Sequence, residues 1–464
     1  MKKGTAWLLV IVLILLSEWA YVLLLLFEPR AHIPWVMAIT AVLFGLYGAL
    51  AFVVRRSTAR ALLPVIILSA ILFRITLVPL GLPSTNNVLA DIRADLSGSG
   101  APQFRANLFL DDDVWRYLWD GHASAEFGNP YLAAPGALVP DPDISDQKAS
   151  DRWQVIRARV NHPELPTIYP PLTQAVFFVA HAVAPGSVVG LKLLFIGCDL
   201  LGILIIVASL RRLGHRASDV MLYALNPLVI LMFSGAAHVD VVMVTLLSAT
   251  FYLLMTGSAR TAGILLGLAI LAKLTPIILL PLFARRLGKV GVFLTIATLA
   301  VFSAPFILAT GGGLDTFAVF ARNWDFNSAS FESLDFIASR FTRNSGQIAR
   351  DAAAVALAGT LLWIWRRTRS DQPSALAEAS ADTIGALLLF SPTVMPWYAT
   401  WTLGFAPLTH RATTWIAFSA LVCLSFPMMM DWKTDLRWLT AEYGALAIVA
   451  LLEWRRAANV ATEP

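Results

Sequence analysis

The apolar residues of this chain come in blocks, many of them long enough to cross about 30 Å of hydrocarbon at about 1.5 Å of helix rise per residue. Blocks at 7–27 and 34–54 predict a hairpin of two spans with a short turn, and a third block at 61–80 leads into a long polar stretch, 81–166. Further spans are predicted near 187–210, 218–234, 239–256, 290–309, 350–366, 413–430 and 438–454. The pattern is that of an all-α membrane protein, a polytopic helical bundle of about 11–13 membrane segments with a long first external loop that holds juxtamembrane helices.

Basic residues cluster at the ends of these blocks: Lys2-Lys3, Arg55-Arg56 with Arg60, Arg211-Arg212 with Arg216, Arg260, Arg285-Arg286 with Lys289, Arg366-Arg367 with Arg369, and Arg455-Arg456. If all face the cytoplasm, each interval between clusters holds an even number of crossings. The apolar stretch 171–184 then cannot cross completely, and reads as a half-buried helix. Residues 262–284 are flanked by basic residues on one side of the membrane, so they predict a broken hairpin around Lys273-Leu274-Thr275-Pro276, where proline interrupts the helix. A second broken hairpin is expected over 384–408, around Pro396-Trp397-Tyr398. The chain divides into an N-terminal hairpin (1–60), a membrane module with external loops 81–166 and 310–349 (61–349), and C-terminal helices (350–464).

Composition agrees with this class. Hydrophobic residues make up 58% and charged residues 14%, against roughly 45–50% and about 25% in soluble domains. The net charge of +5 comes from the anchoring clusters, which argues against nucleic acid as a partner. Cys198 and Cys423 lie in apolar stretches and imply no disulfide framework. The first block is too long for a signal peptide and lacks a small-residue cleavage site, so it reads as a retained span. Its Glu18 is either functional or hydrogen-bonded against a neighbouring helix such as the one holding Arg74. No Walker loop and no Gly-x-Gly-x-x-Gly element after a strand supports a nucleotide-dependent activity. An enzyme working outside would need its activated substrate carried by a lipid.

The polar residues that can carry chemistry fall on the outer side by the parity argument. The external loop reads Asp111-Asp112-Asp113-Val114-Trp115-Arg116-Tyr117-Leu118-Trp119-Asp120-Gly121, then Gly128-Asn129-Pro130-Tyr131. Adjacent carboxylates repel, so at least one is expected to hold its proton more tightly and to suit proton abstraction. The alternative is a solvated acidic turn that caps the following helix. On the same side stand His162, Tyr169, His238, Asp240, Lys273, Trp324, Asn327, Trp397 and Tyr398. A lysine at the tip of a broken hairpin calls for an anion, and a lipid phosphate is available at that depth, unless the side chain simply snorkels. His238 and Asp240 do not have a recognised metal-ligand spacing, and no metal is expected. Trp397, Tyr398 and Trp401 also fit an interfacial aromatic belt.

The run Asp112 to Gly121, Asn129-Pro130-Tyr131 and Pro135 resembles the first external loop of bacterial integral-membrane glycosyltransferases of the C-type fold, in particular the polyprenyl-phosphate-mannose-dependent mannosyltransferases. Further matches follow in order: Ile168-Tyr169-Pro170-Pro171-Leu172, Tyr223-Ala224-Leu225-Asn226-Pro227-Leu228, the turn with Gly235, His238 and Asp240, Ala272-Lys273-Leu274-Thr275-Pro276, Trp324 with Phe326-Asn327, and Pro396-Trp397-Tyr398. The chain departs from the pattern at Ser234, where relatives often carry an acidic residue, and at Ala237, where they often carry glycine. The resemblance implies a multi-pass protein of the bacterial inner membrane with its active site on the extracytoplasmic face. It implies inverting transfer of a hexose, with mannose favoured, from a polyprenyl-phosphate donor to a glycolipid or glycan acceptor, with no cofactor. Asp113 or its neighbour Asp112 is then the general base. Lys273, Arg116, His238 and Tyr169 are expected at the donor phosphate, and Tyr117, Asp120, Asn129, Tyr131, Asp240, Asn327, Trp397 and Tyr398 in the sugar or acceptor pocket. The competing classes are a transporter or flippase of lipid-linked substrates, which also uses broken helices, and a scaffold subunit that would leave the carboxylates without a task.

Overall fold

A computed structural model describes residues 3–57, 62–82, 87–98, 109–138, 147–310, 315–368, 372–409 and 411–462. Lys2, Arg60, Arg369 and the stretch around residue 100 lie outside these. Among the described residues the regular structure is helical, and one β-bridge joins Phe326 to Thr393.

The first hairpin is α1 (Lys3–Leu26) and α2 (Ile33–Arg56), followed by α3 (Leu62–Thr76). The long external loop holds α4 (Val88–Ser97), α5 (Asp113–Glu126) and α6 (Gln147–Ala158). Then come α7 (Pro171–Val183), α8 (Val188–Arg212), the short α9 (Met221–Ala224) and α10 (Pro227–Ile230), α11 (Asp240–Thr256), α12 (Ala259–Ala272) and α13 (Leu280–Thr310). The second loop carries α14 (Asp315–Asn323) and α15 (Ala329–Ala338), and the chain closes with α16 (Ser345–Arg367), α17 (Pro373–Phe390), α18 (Thr400–Leu403), α19 (Thr413–Leu421) and α20 (Leu436–Thr462). Local chemistry sets several of these starts. Asn87, Ser187, Asn226 and Ser328 cap α4, α8, α10 and α15 by accepting from backbone N–H groups, and Pro171, Pro227 and Pro373 occupy first-turn positions where their missing N–H is harmless.

Among the described residues six helices are long and apolar enough to cross a membrane, or seven if the bent pair Ala217–Ala224 and Pro227–Gly235 is one span. This is fewer full-length spans than the sequence pattern predicts. The remaining segments are short, such as Leu62–Thr76, Asp240–Thr256 and Ala259–Ala272. Others are long but interrupted by carboxylates, such as α17 with Glu378 and Asp382 and α20 with Glu442 and Glu453. The stretch 171–184 is a 13-residue helix, as its parity requires.

Both broken hairpins are present. The chain breaks at Lys273, where α12 ends in extended backbone, and resumes as a 3-10 turn at Thr275–Leu279. It bends again at Gly288, whose φ of 61° favours glycine. A Cβ at Gly263 would strike Gly291, and one at Gly267 would strike Thr298. Helix α12 and the part of α13 after Gly288 therefore run in the same direction, so the segment between Lys273 and Gly288 returns. The second break spans Ser391 to Met395, between α17 and the 3-10 turn Pro396–Ala399. Its first arm begins at Pro373, earlier than the predicted 384.

The two ends of the bundle are distinct. At one end Arg216 donates to the carbonyls of Val54, Arg55 and Ser57. At the other, Arg30 from the first turn donates to Leu110 O of the long loop. Inside, Arg74 donates to Asp199 at 2.6 Å and to Ala224 O at 2.8 Å, and Tyr223 donates to the second Asp199 oxygen at 2.6 Å. Lys192 donates to the carbonyls of Leu77, Val78 and Leu80, fixing the exit of α3. Glu18 accepts from Thr76 Oγ1 at 2.5 Å, so the carboxylate in the first span is bonded to the helix that holds Arg74.

Candidate active site

Helix α5 begins at Asp113, and its backbone N–H donates to Asp111 Oδ1 at 3.1 Å. The Asp112 side chain caps nothing; it faces Arg30 at 3.5 Å. This is not the freely solvated acidic turn of the alternative reading, because Asp111 is only 3% exposed. One helical turn after Asp113 comes Tyr117, whose hydroxyl lies 3.4 Å from Asp113 Oδ2, and the Tyr169 hydroxyl donates to the same oxygen at 3.3 Å. Asn161 Nδ2 donates to Asp113 Oδ1 at 3.1 Å. Asp113 thus accepts from three side chains and still reaches the cavity.

His238 lies directly beneath. Its ring stacks on Trp397 with centroids 3.8 Å apart. Nε2 is 3.1 Å from Asp111 Oδ2, and Nδ1 is 4.0 Å from Asp113 Oδ2. Burial and the Asp111 charge hold the Asp113 carboxyl above its ordinary pKa, while His238, the Asn161 bond and Lys273 pull the other way. Burial also raises Asp112, to about 6, against the opposing effect of Arg30. For His238, burial lowers the pKa, but Asp111 and the neighbouring carboxylates outweigh it and raise it. Ligand atoms of Asp111, Asp113 and His238 lie within 4.8 Å of one another, close enough to hold a divalent cation. Nothing local in the chain marks this set, because His238 lies 127 and 125 residues from the two aspartates.

Lys273 stands at the tip of the first broken hairpin. Its Nζ pairs with Asp240 Oδ1 at 2.7 Å and lies over the rings of Tyr398, 4.6 Å away, and Trp401, 4.9 Å away. Trp401 Nε1 donates to the same Asp240 oxygen, which fixes the acidic partner. The lysine side chain remains 22% exposed and faces the same cavity as Asp113.

That cavity holds about 820 Å³ and is lined by residues from both loops and both broken hairpins. Asp112, Asp113, Arg116, Tyr169, Lys273, Trp397 and Tyr398 all line it, although they are far apart in sequence. Arg116 spends its guanidinium on the carbonyls of Asn161, His162 and Leu165. It therefore organises the loop that delivers Asn161.

The other expected site residues stand behind the wall. Tyr117 is buried between Tyr169 and Phe177. Asp120 accepts from Thr167 and Gln174, with Arg116 3.8 Å away. Asn129 accepts from Tyr131 N, and Tyr131 donates to Tyr169 O at 2.6 Å. Asp240 meets Lys273, and Asn327 is fully buried against Glu442. Sequence reasoning missed Arg30, Asn161 and Trp432, which hold or line the site. Arg30 and Trp432 lie in other loops from the acidic run, and Asn161 is conspicuous only through its neighbour His162.

Known proteins similar to this chain are mannosyltransferases. The family described as alpha-(1->6)-mannopyranosyltransferase, N-terminal domain, matches residues 100–288, and the MptB C-terminal domain matches residues 339–455. Among curated relatives, alpha-(1->6)-mannopyranosyltransferase A of Mycobacterium tuberculosis is 27% identical over 353 residues, covering 70% of this chain. The chain spans just 66% of that relative's length. The first family match contains the acidic run, Tyr169, His238 and Lys273, and the second contains Trp397 and Tyr398. Over these two stretches the chain is similar to alpha-(1->6)-mannopyranosyltransferases, in keeping with its sequence resemblance to C-type integral-membrane mannosyltransferases.

Proposed function

We propose that this protein is a membrane mannosyltransferase that moves a mannosyl residue from a polyprenyl-phosphate donor to a hydroxyl of a glycolipid or glycan acceptor, on the extracytoplasmic face of the inner membrane. The observation that carries the reading is the sharing of one cavity by a hydrogen-bonded carboxylate, Asp113, and a fixed ammonium, Lys273. Asp113 takes the proton from the acceptor hydroxyl as its oxygen forms a bond to the anomeric carbon. The bond from that carbon to the phosphate oxygen breaks on the opposite side, so configuration inverts. Phosphate leaves with an additional negative charge, which Lys273 meets. The pocket rings of Trp397 and Tyr398 give the sugar an aromatic surface.

A lipid-substrate transporter would also use broken helices and buried charge, but it has no need of a base held by three donors. Purified protein in detergent, given a synthetic short-chain polyprenyl-phosphate mannose and a panel of glycolipid acceptors, should yield a mannosylated product of inverted configuration. No product there, together with lipid movement in reconstituted vesicles, would favour the transporter. The side of the membrane is tested separately: a membrane-impermeant thiol reagent applied to intact cells should label Glu164→Cys and leave Arg212→Cys unlabelled.

A further inference from the structure

Glu442 lies in the last helix, α20, with no solvent exposure. Its Oε1 accepts from Asn327 Nδ2 at 3.1 Å. The other two oxygens of this pair, Glu442 Oε2 and Asn327 Oδ1, are both buried with no hydrogen-bond partner. No basic side chain forms an ion pair with Glu442 among the described residues. An ionised carboxylate without a cation in such a place is costly, as is an unpaired amide oxygen. Two unpaired acceptors in one acid–amide pair lack a single proton between them.

We infer that Glu442 is a neutral carboxylic acid that donates its Oε2–H to Asn327 Oδ1, closing a two-hydrogen-bond ring with the amide, and that it is a positioning residue for the cavity wall. The clamp bears on a residue with a φ of 51°, in the left-handed region that non-glycine residues adopt uncommonly, asparagine more readily than most. Tyr443, the next residue of α20, donates to Asn327 O at 2.8 Å. The preceding residues carry the wall: Trp324, Asp325 and Phe326 line the cavity. Phe326 exchanges backbone bonds with the second broken hairpin, accepting from Val394 N at 2.8 Å and donating to Pro392 O at 3.0 Å. Trp324 packs edge-on against His162, with centroids 4.7 Å apart, beside the Asn161 that holds Asp113. The acid–amide ring thus fixes, from inside the bundle, the wall that stands next to the base.

The kinetic consequence rests on the transferase reading; the protonation state does not. Glutamine has a carbonyl and an N–H where the neutral acid has a carbonyl and an O–H, so Glu442→Gln can form the same ring. It should keep KM and kcat within about twofold of the parent. Glu442→Leu, judged folded by a single symmetrical peak in size exclusion, should raise KM about tenfold with kcat little changed, because a displaced wall weakens ground state and transition state alike. Infrared difference spectra of substrate-free wild type against Glu442→Gln should contain a carboxylic-acid C=O band from the wild type. A carboxylate band in its place overturns the inference, whatever the activity assays give. A Glu442→Gln variant as impaired as Glu442→Leu overturns it too. If no transferase activity is found at all, the infrared spectra still decide the protonation state.

Discussion

His238 lies between two carboxylates, with Nε2 3.1 Å from Asp111 and Nδ1 4.0 Å from Asp113. The pair Asp111 and His238 therefore tunes the base without touching the cavity. Asp113 is already raised above the ordinary carboxylate range of about 4, and the base works only when deprotonated. Turnover should consequently fall as pH drops through a point above that range. His238 lowers the Asp113 pKa, so removing its charge raises it further. In His238→Gln the acid limb of the kcat/KM profile should move to higher pH. An unmoved limb, or one displaced to lower pH, would mean that His238 carries no charge felt by Asp113.

The identity of the base is tested by isosteric change. Asp113→Asn keeps the shape and can still bond Asn161, but it cannot take a proton. Transfer should fall by about 10²- to 10⁴-fold while donor binding persists. Asp112→Asn should be far milder, because Asp112 faces Arg30 and accepts no bond from Asn161 or Tyr169. If Asp112→Asn is the inactive variant, the register moves by one residue. Two active variants would remove the general-base mechanism.

Much of this site was legible in the sequence, and the reason is polarity. In a chain this apolar, each polar residue at a span end stands out, so the acidic run, Tyr169, Lys273 and the Pro396-Trp397-Tyr398 break could be singled out before their contacts were known. Charge parity demanded a return within 262–284 and Pro276 located it beside Lys273, which the packing of Gly263 on Gly291 and of Gly267 on Thr298 then displays. What stayed hidden was which polar residues face the cavity. Asp240 and Lys273 were both placed on the outer side, but only the fold shows that one holds the other in place. Arg30 was invisible for a different reason: it lies in a short turn 82 positions before Asp112 in the sequence, and nothing local ties the two.

The buried pair Arg74 and Asp199 bears on stability. Both side chains have no exposure, and they are 2.6 Å apart. Asp199→Ala would leave the Arg74 guanidinium buried without its counter-charge, a loss of about 3–5 kcal/mol. A double replacement, Arg74→Met with Asp199→Leu, should be less damaging than the single change, since no charge is left stranded. Thermal unfolding in detergent checks the order. A single variant as stable as wild type would show that water or lipid reaches Arg74.

Lys273 separates transfer from transport. Its ammonium is held by Asp240 and by the faces of Tyr398 and Trp401, so it cannot follow a moving substrate far from this point. In the transfer reaction it meets a phosphate whose charge grows as the sugar leaves, and an interaction that strengthens toward the transition state shows up in kcat. Lys273→Met should therefore lower kcat by more than it weakens donor binding. It also strands Asp240, whose second oxygen already lacks a partner, so expression and folding should be followed in parallel. Lys273→Arg keeps the charge with a different reach and should recover part of the activity. In a transporter the substrate charge stays constant through the cycle, so the same change would weaken binding and flux together. Equal losses in donor affinity and in lipid flux across reconstituted vesicles, with no covalent product from wild type in detergent, would therefore set the transferase mechanism aside.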